Sequence, residues 1–325
     1  MIELKFDNHR WQIDFTGFKA DYKIDFALSD IERIYEHEST VSDENLIKQL
    51  IDSFNSEGFL HPILVTVHDS DYVIADGTHR YFALRNLSSK SNRGINVFLN
   101  VLKQPYFSRT SWVFKFDKEV DLASIRKKRY EVEEVKLGDF NEKLSLVLRG
   151  EAQALVKTRE KFFMIYKHFG DRYNFLKSLK ELDALLGDYS ELVLPDRLSS
   201  LPADMVLLSP PSDAKGDISL LVENKELRRK KASKTIVGIR PLFFDIPLEK
   251  LYQEQGKLRA YIIRKIDDAI ASNKLILLKP PVWGLDFCND QFDQTLLIMN
   301  KDIFYKNEKV KENFKRQIIE DYTVS

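Results

Sequence analysis

Short runs of alternating apolar and polar residues predict β-strands in the first third of the chain. Residues 11–15 and 22–26 alternate with a period of two, which is typical of a strand with one buried face. Residues 63–67 and 72–75 predict a pair of strands around a polar turn, and residues 95–102 predict a further strand. This part of the chain is therefore predicted to form a sheet.

Apolar residues at helical spacing predict two helices among these strands. The first covers residues 46–54, with Ser42 as its candidate N-cap and Gly58 as the residue that ends it. The second covers residues 81–87, and the polar residues 88–94 are expected to break it. By about residue 125 the chain is predicted to have completed a compact α+β unit.

The rest of the chain predicts both kinds of element. Residues 160–186 carry an apolar face and predict a helix that is broken near Gly170. The other predicted elements are a strand at 205–208, a strand at 235–239, a helix at 248–271 and strands at 275–278 and 295–299. We therefore predict an α+β fold with three domains: an N-terminal core at 1–125, a mixed, largely helical middle region at 126–235, and a C-terminal α/β lobe at 236–325.

Composition limits the partners that the chain can have. Hydrophobic residues make up 43% of the 325 residues, which is enough for a sizeable core. Lys+Arg 50 and Asp+Glu 50 cancel to a formal net charge of zero, so no overall field attracts nucleic acid or an anionic membrane. Because no apolar run reaches the length of a membrane span, and the start of the chain is charged throughout, we expect a cytoplasmic protein without a membrane partner.

One local excess of positive charge remains. Six basic residues lie between Lys225 and Lys234, with no aromatic residue among them. Without aromatic side chains the run lacks the stacking surface that single-strand binders use. We therefore expect no nucleic-acid partner there.

The segment Asp76-Gly77-Thr78-His79-Arg80 stands between a predicted strand and a predicted helix. The unpaired N–H groups of a first helical turn favour an anion. Gly77 allows the backbone to approach a phosphate, Thr78 offers a hydroxyl, and His79 and Arg80 add donors or charge. Asp76 is a candidate to hold a metal ion or to accept a proton. This concentration of functional groups favours a ligand site over a simple Asp-Gly turn.

Roughly residues 30 to 102 resemble the core of the ParB/sulfiredoxin superfamily. The resemblance rests on a His-Glu pair before a helix, on the segment 58–65 (GFLHPILV) and on the segment 72–84 (YVIADGTHRYFAL). Within the superfamily the Asp-Gly-x-His-Arg box resembles that of the free serine kinases, with Thr78 at a position where those enzymes usually carry His. The stretch 238–251 also resembles a segment of the serine kinases' smaller lobe, although we assign no site residue from it.

The resemblance implies a function and a set of site residues. A free serine kinase phosphorylates the hydroxyl of free L-serine or a relative, with ATP or ADP as the nucleotide and Mg²⁺ as the metal. Gly77 to Arg80 would hold phosphates, Asp76 would hold the metal or polarise the hydroxyl, and His61 would lie near the phosphate loop. The His37-Glu38 pair matches the catalytic glutamate of those kinases, so Glu38 is the expected base and Glu36 the fallback.

Two alternatives stay open. One is a ParB-like, DNA-associated nucleotide-binding protein or nuclease, which would need a helix-turn-helix after its nucleotide box. The predicted helix at 160–186 is aromatic and mixed in charge, so that signal is absent. The other is a non-catalytic sensor that binds a nucleotide or metabolite, and the residues alone do not separate a sensor from an enzyme.

Overall fold

A computed structural model describes most of the chain. The described residues are 4–7, 10–16, 18–19, 22–39, 44–103, 107–116, 118–159, 161–189, 191–193, 204–229, 231–280, 294–302 and 319–321. They form two compact units, of which unit 1 comprises Met1–Tyr35, Ser42–Ser108 and Ile236–Ser325, and unit 2 comprises Glu36–Val41 and Arg109–Thr235. The division into three domains stays a prediction. The predicted N-cap Ser42 lies outside the described residues.

The strands and helices follow one another in mixed order. In chain order the strands are β1 (Leu4–Asp7), β2 (Arg10–Phe15), β3 (Tyr22–Asp30), β4 (Ile34–Tyr35), β5 (Ile63–His68), β6 (Asp71–Asp76), β7 (Asn96–Val101), β8 (Phe107–Thr110), β9 (Val113–Lys115), β10 (Glu131–Val135), β11 (Ala154–Thr158), β12 (Lys161–Tyr166), β13 (Glu191–Val193), β14 (Met205–Leu208), β15 (Lys234–Val237), β16 (Ile239–Leu242), β17 (Ile276–Leu278), β18 (Thr295–Ile298) and β19 (Ile319–Asp321). The helices are α1 (Glu44–Ser56), α2 (Thr78–Ser91), α3 (Leu122–Lys127), α4 (Phe140–Leu148), α5 (Arg172–Leu186), α6 (Asp217–Glu223), α7 (Leu248–Leu251) and α8 (Gln255–Ala271). The α+β fold class is confirmed.

Unit 1 is built on a seven-stranded sheet in the order β1-β2-β3-β7-β5-β6-β4. Its core includes buried aromatic rings from three distant parts of the sequence. Phe26 and Phe98 stack at 5.1 Å between ring centroids, and Phe244 meets Phe98 edge-on at 4.8 Å. A second sheet of four strands, β16-β18-β17-β19, belongs to the same unit. The C-terminal residues thus share a core with the N-terminal sheet.

A close backbone contact in unit 1 depends on Gly58. The Phe59 N–H donates to the Ile246 carbonyl at 2.7 Å, and the Phe244 N–H donates to the Leu60 carbonyl at 2.8 Å. Gly58 has φ +80°, and a Cβ there would lie 2.6 Å from the Ile246 carbonyl oxygen. A residue with a side chain does not fit, because both the conformation and the space require glycine.

Unit 2 contains a six-stranded antiparallel sheet in the order β10-β12-β11-β14-β9-β13. Helices α3 to α6 belong to the same unit. The middle region was expected to be mixed and largely helical, and the structure adds this sheet to its helices. Strands and helices of the predicted N-terminal core and of the predicted C-terminal α/β lobe both appear in the described residues.

The prediction of one broken helix over residues 160–186 is wrong in its first half. Residues 161–166 form β12, which pairs with β10 on one side and β11 on the other. Aromatic and β-branched residues favour a central strand, and Phe162 and Met164 alternate into the core. The second half forms α5. An aromatic-rich run with buried residues on one face is compatible with either period until its neighbours are known.

Two predicted helices differ from the structure, one at its C-terminal end and the other by a break inside it. Helix α2 continues to Ser91 through part of the polar stretch and stops where Asn92 adopts φ +50°. The helix predicted over 248–271 is interrupted, because Glu254 is extended (φ −54°, ψ 141°) between α7 and α8.

In the described part of the chain, no helix combines the length and the apolar character needed to cross a membrane.

We predict that Gly58→Ala lowers the free energy of unfolding by about 2 kcal/mol or more, because an added Cβ meets a backbone carbonyl and a left-handed φ is strained for alanine. Gly94 is the matched control, since a Cβ there has no atom within 4 Å, and Gly94→Ala should change stability by less than about 0.5 kcal/mol. Urea unfolding of both variants measures the difference. Equal stability of the two would contradict the close-contact account.

Candidate functional site

The predicted ligand loop lies in unit 1 at the junction of β6 and α2. Strand β6 ends at Asp76, and Gly77 turns the chain with φ 102° before α2 begins at Thr78. Gly77 occupies the N-cap position and has no side chain that could accept a hydrogen bond from the helix. Helix geometry also leaves the N–H groups of the first turn without partners inside the helix. These N–H groups and the helix dipole favour a negatively charged ligand.

Arg80 is fixed beneath this loop. Its Nη1 donates to the carbonyl oxygens of His61 and Pro62, both at 2.8 Å, and 16% of its side chain is exposed. A Cβ on Gly77 would lie 2.8 Å from Arg80 Nη2, so the glycine also makes room for the guanidinium. Burial lowers the pKa of Arg80 to about 10, an effect that Asp76 opposes and Arg240 reinforces. Arg80 stays positively charged at neutral pH.

Arg240 on β16 joins the loop from the C-terminal part of unit 1. Its Nη1 donates to Asp76 Oδ2, and 10% of its side chain is exposed. Arg80 Nη2 lies 3.7 Å from the same Asp76 oxygen. One carboxylate therefore sits between two guanidinium groups, which leaves the cluster with a net positive charge.

His61 lies next to the cluster and contacts Phe243. The Phe243 N–H donates to His61 Nδ1 at 3.3 Å, and the two rings meet edge-on at 4.9 Å. Phe243 adopts φ 62°, an uncommon conformation for a bulky residue. Burial, followed by the positive charges of Arg80 and Arg240, lowers the pKa of His61 well below 6.5. The imidazole is thus neutral at pH 7, and because Nδ1 accepts a hydrogen bond, its proton lies on Nε2.

The loop site, defined as residues 76–80 with His61 and Arg240, is equipped for an anion. The first-turn amides, two guanidinium groups and a neutral imidazole supply donors, and Thr78 and His79 follow on the first turn of α2. Phosphate oxygens match guanidinium groups in geometry and charge. The chemistry available here is binding and neutralising a phosphate.

The same residues do not fit a divalent cation at Asp76. Mg²⁺ is usually held by carboxylates together with phosphate oxygens and water. Asp76 Oδ2 is already engaged by Arg240 and Arg80, and a cation there would face both positive charges. Among the described residues, no group of three His, Cys, Asp or Glu side chains is placed to hold a metal ion. Magnesium at Asp76 stays a prediction that these contacts do not support.

Glu38 lies in unit 2, where a turn from the same unit holds its carboxylate. Oε2 accepts from the Lys231 N–H at 3.0 Å, while Oε1 accepts from the Ser233 N–H at 2.8 Å and the Ser233 hydroxyl at 2.6 Å. Its side chain is 18% exposed. Burial raises the pKa of Glu38, against the hydrogen bonds from Ser233 and the charges of Arg109 and Arg228. The carboxylate is therefore more basic than an ordinary glutamate.

Two buried side chains of unit 2, those of His37 and Arg109, form a connected polar cluster with Glu38. His37 Nε2 lies 3.6 Å from Glu38 Oε1 and 3.3 Å from Arg109 Nη1. Arg109 Nε in turn donates to Asp213 Oδ2 at 2.7 Å, and 3% of the arginine side chain is exposed. The Arg109–Asp213 pair thus fixes the position of a positive charge near Glu38.

Much of the basic run at 225–234 is engaged inside unit 2. Arg228 is fully buried and lies 3.6 Å from Asp183. Arg229 sits over the ring of Phe114 at 5.1 Å, and Lys234 over the ring of Trp112 at 5.0 Å. Phe114 and Trp112 come from another part of the sequence, and the side chains of Arg229 and Lys234 cover their ring faces. Lys230 lies outside the described residues.

The structure thus gathers most of the predicted site residues, Asp76 to Arg80 and His61, in unit 1 and places Glu38 in unit 2. Sequence reasoning missed Arg240, Ser233 and Phe243. The stretch 238–251 contains both Arg240 and Phe243, but the only signal in the sequence was its resemblance to a kinase segment, which named no residue.

Comparisons with known proteins bear on the fold. Residues 23–105 match the family model described as ParB N-terminal domain, which confirms the resemblance of this segment to the ParB/sulfiredoxin superfamily. SbnI with a C-terminal truncation, from Staphylococcus aureus, is similar with a TM-score of 0.55 and 19% identity, over 75% of this chain and 96% of that chain. This likeness shows the fold.

Two further solved structures are similar over a comparable length. A mutant of free serine kinase in complex with AMP has a TM-score of 0.48 and 21% identity, over 70% of this chain and 94% of that chain. A conserved hypothetical protein from Pyrococcus furiosus has a TM-score of 0.44 and 21% identity, over 70% and 97%. The search of curated proteins found no match.

The lowered pKa of His61 predicts a pH dependence of stability. An unfolded histidine binds a proton near pH 6.5, whereas the folded one stays neutral, so acid favours the unfolded chain. We expect the free energy of unfolding to fall as the pH drops below 6.5, with His61 contributing up to about 1.4 kcal/mol per pH unit. Urea unfolding at pH 7.5 and 5.5 should show a smaller fall for His61→Gln than for the wild type. The same fall in both proteins would show that His61 is not held neutral.

Proposed function

We propose that the protein is a nucleotide-dependent phosphotransferase that phosphorylates the hydroxyl of a small metabolite, free L-serine or a relative. The observation that carries the proposal is the loop site in unit 1. There a helix N-terminus, Arg80 and Arg240 converge around a glycine turn. The Asp-Gly-x-His-Arg box that forms this turn is the motif that resembles the free serine kinases.

Each residue of the loop site has a proposed part in binding the donor nucleotide, ATP or ADP. The N–H groups at the start of α2 and the hydroxyl of Thr78 would donate to phosphate oxygens. Arg80, which two backbone carbonyls hold in place, would neutralise phosphate charge without having to be ordered on binding. His61 would donate from Nε2 and add no charge.

Glu38 is proposed as the base that takes the proton of the acceptor hydroxyl. Phosphoryl transfer depends mainly on positioning, charge neutralisation and such a base. The raised pKa brings Glu38 closer to the range in which a general base is effective. Oε2 accepts one hydrogen bond from the Lys231 N–H, and a carboxylate oxygen can accept a second one from a substrate hydroxyl.

A direct assay tests the proposal. The purified protein is incubated with MgCl₂, with ATP or ADP, and with a panel of free amino acids and other small hydroxyl compounds, and the products are analysed by mass spectrometry. Mg²⁺ is included as the counter-ion of the nucleotide. A phosphorylated hydroxyl compound is the expected product. Hydrolysis alone, or no product with either nucleotide, would contradict the assignment.

Glu38→Gln should lower turnover by about 10²–10⁴-fold, the range typical of losing a general base. Nucleotide affinity should stay near the wild-type value, since Glu38 is not assigned to phosphate binding. Steady-state kinetics with calorimetric titration of the nucleotide separate the two effects.

Two controls make this result specific. Ser233→Ala removes the hydroxyl that donates to Glu38 Oε1 but leaves the carboxylate, so its loss of turnover should be much smaller. Glu36→Gln tests the neighbouring acid. Full activity of Glu38→Gln together with loss in Glu36→Gln would move the base by two residues, and full activity of both would remove Glu38 from the mechanism.

A further inference from the structure

The carboxylate of Asp76 stands where an anionic ligand of the loop site would be expected. It ends β6 immediately before the glycine turn and receives Arg240 on Oδ2, with Arg80 Nη2 3.7 Å from the same oxygen. Its side chain is 41% exposed, whereas those of Arg240 and Arg80 are 10% and 16% exposed. The two guanidinium groups are thus largely sheltered, and the acid that joins them faces solvent.

The two arginines differ in what holds them. The Nη1 atom of Arg80 is tied to two backbone carbonyls, so Arg80 keeps its place whether or not Asp76 is charged. The described contacts of Arg240 include the ion pair to Asp76, which depends on the charge of that carboxylate. Two like charges in a sheltered position repel each other, and a carboxylate between them relieves that repulsion.

A phosphate group offers the same kind of oxygen with more negative charge. It can therefore replace the carboxylate between the guanidinium groups, whereas a divalent cation would have to approach two positive charges. Asp76 and the ligand's phosphate compete for one pair of donors. Because the aspartate belongs to the chain, it is always present at the site.

We infer that Asp76 is an internal counter-ion: a positioning residue that keeps Arg240 directed at the loop beside Arg80 and gives way to a ligand phosphate. This inference rests on the proposed phosphate-binding function. Asp76 would weaken resting affinity for the phosphate while keeping the donors arranged. It would thereby also favour release of the product nucleotide.

The test compares Asp76→Asn with the wild type by calorimetric titration of ADP and of pyrophosphate, in EDTA and again in MgCl₂. The counter-ion role predicts tighter binding of both ligands to Asp76→Asn in EDTA, because the carboxylate that competes with the phosphate loses its charge. The gain should be about three- to tenfold, since a partly exposed ion pair is worth less than a buried one. Rising salt should reduce the gain. A merely structural lesion does not tighten binding.

Asp71→Asn is the matched control. Asp71 begins the strand that Asp76 ends, about 17 Å away at a strand rise of about 3.3 Å per residue, and it pairs with Arg33 at 2.8 Å. Losing one negative charge there should leave both affinities unchanged. If thermal unfolding shows that Asp76→Asn does not fold, Asp76→Ser takes its place in the same titrations.

Unchanged or weaker binding to folded Asp76→Asn, with ADP bound by the wild type, would overturn the counter-ion role and leave the proposed function standing. A loss of affinity seen only in MgCl₂ would do the same and would assign Asp76 to the metal. Tighter binding of pyrophosphate without any binding of ADP would support the counter-ion role and contradict the proposed function. If neither protein binds either ligand, both are wrong.

Discussion

The loop site depends on one close backbone contact, that between Gly58 and Ile246. Because no side chain intervenes, the segment after Gly58 pairs with residues 244–246 through three backbone hydrogen bonds. That pairing places His61 beside Phe243, and the strand that precedes Phe243 carries Arg240 to Asp76. Gly58, which lies just before β5, thereby determines how β16 contributes Arg240 to the loop site.

Charge then determines what the site accepts. Arg80 and Arg240 are both sheltered, and burial together with their positive charges lowers the pKa of His61 and keeps its imidazole neutral. A neutral histidine, two guanidinium groups and a helix N-terminus together donate hydrogen bonds and accept few. In unit 2 the situation is reversed around Glu38, where burial raises the pKa of a carboxylate that fixed backbone donors hold. The two environments suit phosphate binding and proton abstraction, respectively.

Local patterns in the sequence predicted the loop around Asp76 but could not predict the residues that distant parts of the chain bring to it. The strand, glycine turn and helix around Asp76 follow from a short apolar run before an Asp-Gly pair and helical spacing after it, so the loop was visible in the sequence. Arg240 was not, because it lies 164 positions from Asp76 and only strand pairing brings it there. Phe243 was hidden for a different reason: a phenylalanine rarely adopts φ 62°, and only the surrounding contacts impose it. The strand at 161–166 was missed because its partners β10 and β11, rather than its own pattern, decide between strand and helix.

A crystal structure of the protein with ADP is the most direct test of phosphate binding at the loop site. A phosphate group is expected within hydrogen-bond distance of the first N–H groups of α2, with Arg240 directed at a phosphate oxygen in place of Asp76. ADP bound elsewhere, or bound with its phosphates away from Gly77 and the Arg240–Asp76 pair intact, would contradict it.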